Sequence, residues 1–366
     1  MSFPKIRLIS KIKNKMNVKN IKAFGTETPE ASLEQLNIDR REVTLKDIEI
    51  DILYCGVCHS DLHFARNDWG FSVYPVVPGH EIVGKVIKIG EGITKFKAGD
   101  FVAVGCLVDS CRTCNNCKND LEQYCPEYVG TYGGQDKYLN MQTFGGYSES
   151  IVVDEHFVLK IPENLDLAGV APILCAGITT WSPLQHWNVG KDSKVAVVGL
   201  GGLGHMAIKL ADALGADVTL FSRSPNKIQD ALDLGADRVV ISTDEDQMAN
   251  VQGHFDLIID TVPYAHDINP YVGTLNTNGT LVLVGYLGPL DPMLHSVPMI
   301  LGRKAVAGSL IGGIAETQEL LDFCGKHNII SDIEIIKMQD INEAYERMLK
   351  SDIKYRFVID MKSLKE

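Results

Sequence analysis

The rhythm of apolar and polar positions changes near the middle of the chain. Between residues 46 and 160 the apolar positions come in short runs cut by glycine and proline. Ile48–Leu53, Ile82–Ile89, Phe101–Val104 and Ser150–Val153 read as strands, because short β-branched and aromatic runs between turn formers favour extended backbone. This half predicts an irregular β-rich region with long loops. From Lys194 a second pattern begins. Lys194–Val198 (KVAVV) is apolar at every position after its lysine, as in a strand covered on both faces. A glycine-rich turn follows, then a helical stretch at His205–Leu214, a strand at Val218–Phe221 and a helix at Lys227–Leu234. Strand-like Val239–Ile241, Leu257–Asp260 and Leu281–Val284 continue the series. Strands alternating with helices predict a doubly wound parallel sheet, so the chain is α/β overall. After Lys304–Ser309, Glu316–Lys326 reads as a helix and Tyr355–Ile359 as a last strand that can return to the first region.

The 366 residues exceed what a single compact core usually spans, so two domains are expected. A net charge of −12 argues against a nucleic-acid partner, which would need a concentrated basic surface. No run approaches the roughly 20 apolar residues of a membrane span. The first fifteen residues are basic, with Lys5, Arg7, Lys11, Lys13 and Lys15 among isoleucines and leucine. They lack the continuous apolar stretch and cleavage pattern of a secretory signal. They read as a disordered, dispensable extension or a start assigned too early, with Met16 opening a more typical start.

Four of the nine cysteines follow a tight spacing: Cys111, Cys114, Cys117 and Cys125, or C-x2-C-x2-C-x7-C. Four thiolates on one loop can close a tetrahedral shell around structural zinc. Disulfides fit poorly in a chain with no secretory signal. An iron–sulfur cluster is the other candidate, since Pro126 follows Cys125 as in ferredoxin runs. The last gap is too long for that motif, however, and no second cysteine run exists. Scattered remaining cysteines suit a reduced, cytoplasmic setting.

The glycine-rich turn is Gly199-Leu200-Gly201-Gly202-Leu203-Gly204. G-x-G-x-x-G is a weak motif alone, but here a predicted strand precedes it and a helix follows, the context of a dinucleotide site. Gly199 allows the tight turn, Gly201 lets backbone approach the pyrophosphate, and Gly204 lets helix and strand pack closely. An NAD site would carry Asp or Glu about 20 residues further on, to hold the ribose 2′-hydroxyl. This chain has Phe221-Ser222-Arg223-Ser224 there, with Lys227 beyond. Arg223 can fork onto a 2′-phosphate, Ser222 and Ser224 can donate to it, and Lys227 adds charge. The expected cofactor is NADP(H).

Ligand-type residues recur in Cys55-Gly-Val-Cys58-His-Ser-Asp-Leu-His63, in Pro78-Gly-His80-Glu81, and at Cys175. Cys58, His80 and Cys175 would make the Cys2His set of a catalytic zinc with one open position. Spacing alone leaves this open, because buried cysteines also serve as small apolar residues.

In chain order GVCHSDLH, PGHEIVG, the four-cysteine loop, LCAGITTWSPL and GLGGLG resemble the zinc-dependent medium-chain alcohol dehydrogenases. The likeness runs from about residue 45 to the C-terminus. GCLVDSC and LGRKAVAGS make it most similar to the cinnamyl alcohol dehydrogenase branch, bacterial aldehyde reductases included. The resemblance implies a GroES-like catalytic domain (1–174 and 311–366) and a Rossmann NADP-binding domain (175–310). It implies Cys58, His80 and Cys175 as ligands of a catalytic zinc, with Glu81 beside the metal and able to exchange onto it. It gives Cys111, Cys114, Cys117 and Cys125 a structural zinc, makes Ser60, His63 and Asp68 a proton relay, and puts Thr179 at the cofactor. A homodimer acting on a small alcohol or aldehyde, without a membrane, is implied as well. Cys55, Cys106 and Cys324 match no ligand and read as packing residues. Trp69 and Phe71 would wall the substrate pocket, or be ordinary core. Gly130, between Tyr128 and Tyr132, stands where plant lignin-forming members carry a bulky aromatic, so a broad aldehyde reductase is expected. Competing readings are a polyol or other secondary alcohol dehydrogenase, expected to have an acid in place of Arg223; a non-catalytic relative, expected to lack a ligand or relay residue; and a redox or metal sensor using the cysteine loop.

Overall fold

A computed structural model describes residues 17–285 and 288–365. The basic segment 1–15, and the extension expected there, lie outside these residues. The chain opens with an antiparallel hairpin, β1 (Val18–Gly25) and β2 (Glu34–Arg41). Its strands are half polar, which is why the apolar pattern does not announce them. β3 (Asp47–Val57) runs into α1 (His59–Ala65), followed by β4 (Ile82–Ile89), β5 (Phe101–Val104), β6 (Ser150–Asp154) and β7 (Leu159–Lys160). α2 (Ala176–His186) leads to β8 (Lys194–Val198), α3 (Gly202–Ala213), β9 (Asp217–Ser222), α4 (Ile228–Asp233), β10 (Arg238–Ile241), β11 (Phe255–Asp260), β12 (Leu275–Leu283) and β13 (Ala305–Gly308). The chain ends in α5 (Ile314–His327), β14 (Ile333–Lys337), α6 (Ile341–Leu349) and β15 (Arg356–Asp360).

The first sheet has the order β7-β5-β4-β3-β15-β14, with β6 also paired to β3. The tail strand β15 runs antiparallel to β3, and Phe357 faces Val57 in that register. This brings Arg356 level with Cys58, the residue that follows Val57. The second sheet is parallel, in the order β10-β9-β8-β11-β12-β13. That is the strand order of a dinucleotide-binding fold, whose ligand crevice lies at the C-terminal end of the first strand. β8 is that strand, and it is buried apart from its lysine because its neighbours and helices cover both faces. One apolar core joins the two sheets, taking Val83 and Ala103 from the first, Val195 and Val197 from the second, and Leu320 from α5.

Two helices of the parallel-sheet region start elsewhere than the pattern predicts. α3 begins at Gly202, three residues before His205, because small glycines can occupy a first turn that packs against other backbone. The helix expected from Lys227 begins as a 3-10 turn at Pro225–Lys227 and becomes α-helical only at Ile228, as the fixed φ of Pro225 suits the start of a turn. Among the described residues no single helix is long and apolar enough to cross a membrane.

Candidate active site

Three chain segments converge between the sheets. Cys58 caps α1 just after β3, His80 and Glu81 precede β4, and Cys175 precedes α2. One ligand atom from each of these four residues lies within 4.8 Å of every other, and all four residues are buried. The Cys58 and Cys175 sulfurs are 3.9 Å apart. Of these two thiols Cys58 gives up its proton first, since Cys175 donates a hydrogen bond to it and the Arg356 guanidinium lies nearby. The donor set is what a divalent, borderline-soft metal prefers.

The surrounding side chains orient these donors. Asp61 is fully buried, and its Oδ1 pairs with His80 Nδ1 at 3.1 Å while also accepting from Gly79 N. Its Oδ2 accepts from Cys58 N at 2.8 Å. Asp61 therefore fixes the imidazole so that Nε2 is the free donor atom, as carboxylate–histidine–metal arrangements do. Glu81 pairs through Oε1 with Arg356 Nη2. Its other oxygen has no hydrogen-bond partner, and burial pushes this carboxyl up to about 7. A buried, unpaired oxygen beside two thiols and an imidazole fits a site built for a cation. Glu81 also fills the space above Gly56, where an added Cβ would come within 1.9 Å of Oε2.

Toward solvent, Ser60 Oγ lies 3.7 Å from Cys58 Sγ. Ser60 and His63 are three apart on α1 and so share a face. His63 Nδ1 meets Asp68 Oδ2 at 2.7 Å, and both side chains reach solvent. Trp69 stacks on Phe71, and Phe71 packs edge-on against Phe64. Phe71 is 61% exposed, which makes it a rim residue and corrects the ordinary-core reading for this ring. Tyr132 packs against His80 and Phe64, whereas Tyr128 points outward.

The glycine loop lies on the other side of Arg356. Gly199 takes φ +89°, a conformation only glycine adopts at little cost, and Gly204 approaches Gly199 O so closely that a Cβ would sit 2.1 Å from it. α3 has no side-chain cap, so its first N–H groups face a cleft lined by His59, Leu200, Gly201, Gly202, Lys227 and Arg356, among others. Thr179 is buried in the first turn of α2, its N–H bonded to Cys175 O. At the end of β9, Arg223 is exposed. Ser222 instead folds onto its own turn, donating to Ser224 O and accepting from Ser224 N, and Ser224 contacts Asn226. Lys227 Nζ donates to Leu200 O, which ties this turn to the glycine loop.

The cysteine loop is separate. Its four sulfurs also lie within 4.8 Å of one another. Backbone N–H groups point at them: Cys114 N at Cys111 Sγ, Cys117 N at Cys114 Sγ, and Cys111 N and Glu127 N at Cys125 Sγ. Such donors favour thiolates: the backbone N–H groups of Thr113 and Cys114 bring the Cys111 thiol down to about 6, whereas burial pushes the Cys125 thiol up. Cys55 and Cys324 are buried packing residues. Cys106 is half-buried beside the first site, its Sγ donating to Leu174 O at 3.6 Å and its thiol meeting that of Cys175.

Sequence reasoning did not single out Asp61, His59 or Arg356. The first two lie inside the CHSDLH run and could have been found by asking what orients His80. Arg356 gives no local signal, being 275 residues from Glu81.

With this geometry in place, comparison with known proteins is specific. Residues 45–163 match the family described as alcohol dehydrogenase GroES-like domain, and 202–326 match zinc-binding dehydrogenase. A Fragaria ananassa protein named "Probable mannitol dehydrogenase" is 52% identical over 345 residues, covering 93% of this chain and 95% of that one. Aldehyde reductase YahK of Escherichia coli is 51% identical over 349 residues, covering 94% and 99%. A cinnamyl alcohol dehydrogenase from Helicobacter pylori, solved with NADP(H), superposes with a TM-score of 0.88 at 44% identity, covering 94% and 99%.

Proposed function

The chain belongs to the zinc-dependent medium-chain alcohol dehydrogenases, and from that premise we propose that it moves hydride between NADP(H) and small aromatic or aliphatic aldehydes and alcohols. The observation that carries this reading is Arg356. It pairs with Glu81 at the buried thiol–imidazole cluster, and its side chain packs against Gly202 of the glycine loop. A metal pocket and a dinucleotide cleft that share one side chain are close enough for a carbonyl and a nicotinamide to meet.

Cys58, His80 and Cys175 would hold the catalytic zinc, which supplies a Lewis acid to polarise a carbonyl. Glu81, paired with Arg356 through Oε1, would tune the pocket from beside the metal and could exchange onto it. Asp61 keeps His80 in its binding tautomer. The proton travels on the protein's own groups. Ser60 takes or gives it beside Cys58. His63 has Nδ1 committed to Asp68, which leaves Nε2 to exchange the proton with solvent. The α3 N-terminus, with His59 and Arg356, would receive the pyrophosphate, and Thr179 would contact the cofactor. Arg223, with Ser224 and Lys227, receives the 2′-phosphate, and Ser222 shapes their turn. Trp69 and Phe71 form an apolar mouth. The four-cysteine loop carries the structural zinc.

The domain division in this reading is 1–174 with 311–366 for the GroES-like part and 175–310 for the Rossmann part. The protein is cytoplasmic in this reading, in keeping with thiols that must stay reduced to bind metal. It acts as a homodimer. Met293, Val297, Ile300 and Leu301 are largely exposed beside the edge strand β13, which pairs on one side with β12. Such a patch is what a second copy would cover. Sedimentation at micromolar concentration is expected to give twice the chain mass, and a monomer would sink this part.

Initial rates of NADPH and NADH oxidation with cinnamaldehyde test the main reading. Turnover with a strong NADPH preference is expected. NADH preference would remove the 2′-phosphate argument, and no turnover with either would count against the metal pocket. A polyol substrate is the second reading, favoured by the name of the relative at 52% identity. Mannitol oxidation faster than cinnamyl alcohol oxidation would promote it.

A further inference from the structure

β9 and β11 flank β8 in the parallel sheet, and the glycine loop leaves the end of β8 between them. The loops after β9 and β11 therefore stand on opposite sides of the dinucleotide groove, two strand spacings apart, or roughly 10 Å. In this protein they touch. Arg223, the first residue after β9, donates from Nη2 to the Tyr264 hydroxyl at 3.3 Å. Tyr264 belongs to the loop after β11, and that loop is pinned at both ends of the reach. Thr261 Oγ1 donates to Val198 O at 2.8 Å, fastening the loop to the end of β8. His266 Nδ1 donates to Tyr264 O at 2.9 Å, and its Nε2 lies 3.0 Å from the buried carboxylate of Asp260. The ring is thus presented from a fixed backbone, while 53% of its surface remains exposed. A tyrosine that only filled space would not need its hydroxyl aimed at the one arginine on the opposite rim.

We propose that Tyr264 is a specificity-determining residue for the cofactor, closing the adenosine end of the groove together with Arg223 and donating its hydroxyl to the 2′-phosphate. It rests on the NADP(H) reading above. In the free protein the phenol oxygen accepts from Arg223 and holds the guanidinium over the groove. When a 2′-phosphate arrives, the guanidinium turns its fork to the phosphate oxygens, and the phenol O–H becomes an additional donor to the same group. A 2′-hydroxyl, as in NADH, has neither the charge nor the acceptors to use this pair.

The test is binding, measured by calorimetry on the full-length protein with adenosine 2′,5′-bisphosphate and with 5′-AMP. Tyr264→Phe removes only the hydroxyl and keeps the ring. It is expected to weaken the bisphosphate about tenfold, as loss of a partly exposed hydrogen bond to a charged group does, and to leave 5′-AMP within about twofold. Equal losses for both ligands would make Tyr264 an adenosine wall and overturn the proposal, and so would no change for either. Arg223→Ala separates this from the parent reading. If Arg223→Ala loses the bisphosphate selectively while Tyr264→Phe does not, only the tyrosine's role falls. If Arg223→Ala shows no selective loss, the NADP(H) assignment falls and takes the proposal with it.

Discussion

The cysteine loop and the pocket of Cys58, His80 and Cys175 both present thiols to a metal, but they are supported in different ways. In the loop all four donors come from one short segment, three of the four are only half-buried, and the groups pointing at the sulfurs are the loop's own backbone N–H donors. In the pocket the donors come from three distant segments and are all buried. Their orientation depends on side chains from elsewhere, Asp61 on α1 and Arg356 on β15. The loop can fill a metal's coordination shell with sulfur and leave nothing open. The pocket offers two thiols, an imidazole and a carboxylate tied through one oxygen to Arg356, a set in which one position can exchange. Self-contained ligands suit a strut, and ligands borrowed from a whole domain suit chemistry that the domain must tune.

The largest effects should come from breaking each site in turn. Cys58→Ser is expected to lower kcat/KM by about three orders of magnitude, the several kcal/mol that a Lewis acid supplies. Its melting temperature should stay close to that of the parent, because the pocket is braced by side-chain contacts that remain. Cys114→Ser should do the reverse, losing several kcal/mol of stability with the structural metal. The molecules still folded should keep their kcat. Elemental analysis should find about one zinc fewer per chain in both variants. A Cys114→Ser protein that is stable yet inactive would abolish the division between strut and reactive site.

The same contrast explains what could be read from sequence. The loop is legible because spacing within a short segment is itself the constraint. Lys194–Val198, Ile82–Ile89 and Phe101–Val104 are strands at the residues expected, since apolar runs bounded by turn formers encode burial locally. The glycine turn is legible for the same reason: Gly199 must take a positive φ, and Gly204 must admit another backbone. The residue types offered the pocket as a candidate and the resemblance singled it out, because nothing local joins Cys58, His80 and Cys175. Asp61 was overlooked as one polar residue in a helical turn, though it makes four contacts there, to Cys58, Gly79, His80 and Tyr147. Arg356 could not be found from pattern, because the antiparallel pairing of β15 with β3 places it and sequence distance hides that pairing. The hairpin β1–β2 was missed since only alternate positions on it are buried.

The smallest effect bears on what the strut supports. Glu122, inside the cysteine loop and 1% exposed, reaches two other parts of the protein. Its Oε2 accepts from Ile314 N at the start of α5 at 3.1 Å, and its Oε1 pairs with His156 at 3.0 Å. Tyr124 Oη accepts from Leu310 N, and Gly313 lies so close that a Cβ there would come within 1.8 Å of Asp120 O. The loop therefore grips residues 310–314, the stretch that joins β13 to α5. Glu122→Gln keeps the shape and one acceptor but removes the charge from the uncapped α5 N-terminus and from His156. A loss of about 1–2 kcal/mol in denaturant unfolding is expected, with kcat and zinc content unchanged. If kcat falls with stability intact, the loop is coupled to the chemistry and the two sites are not independent. If neither changes, the grip is carried by backbone packing at Gly313, and the carboxylate adds nothing to it.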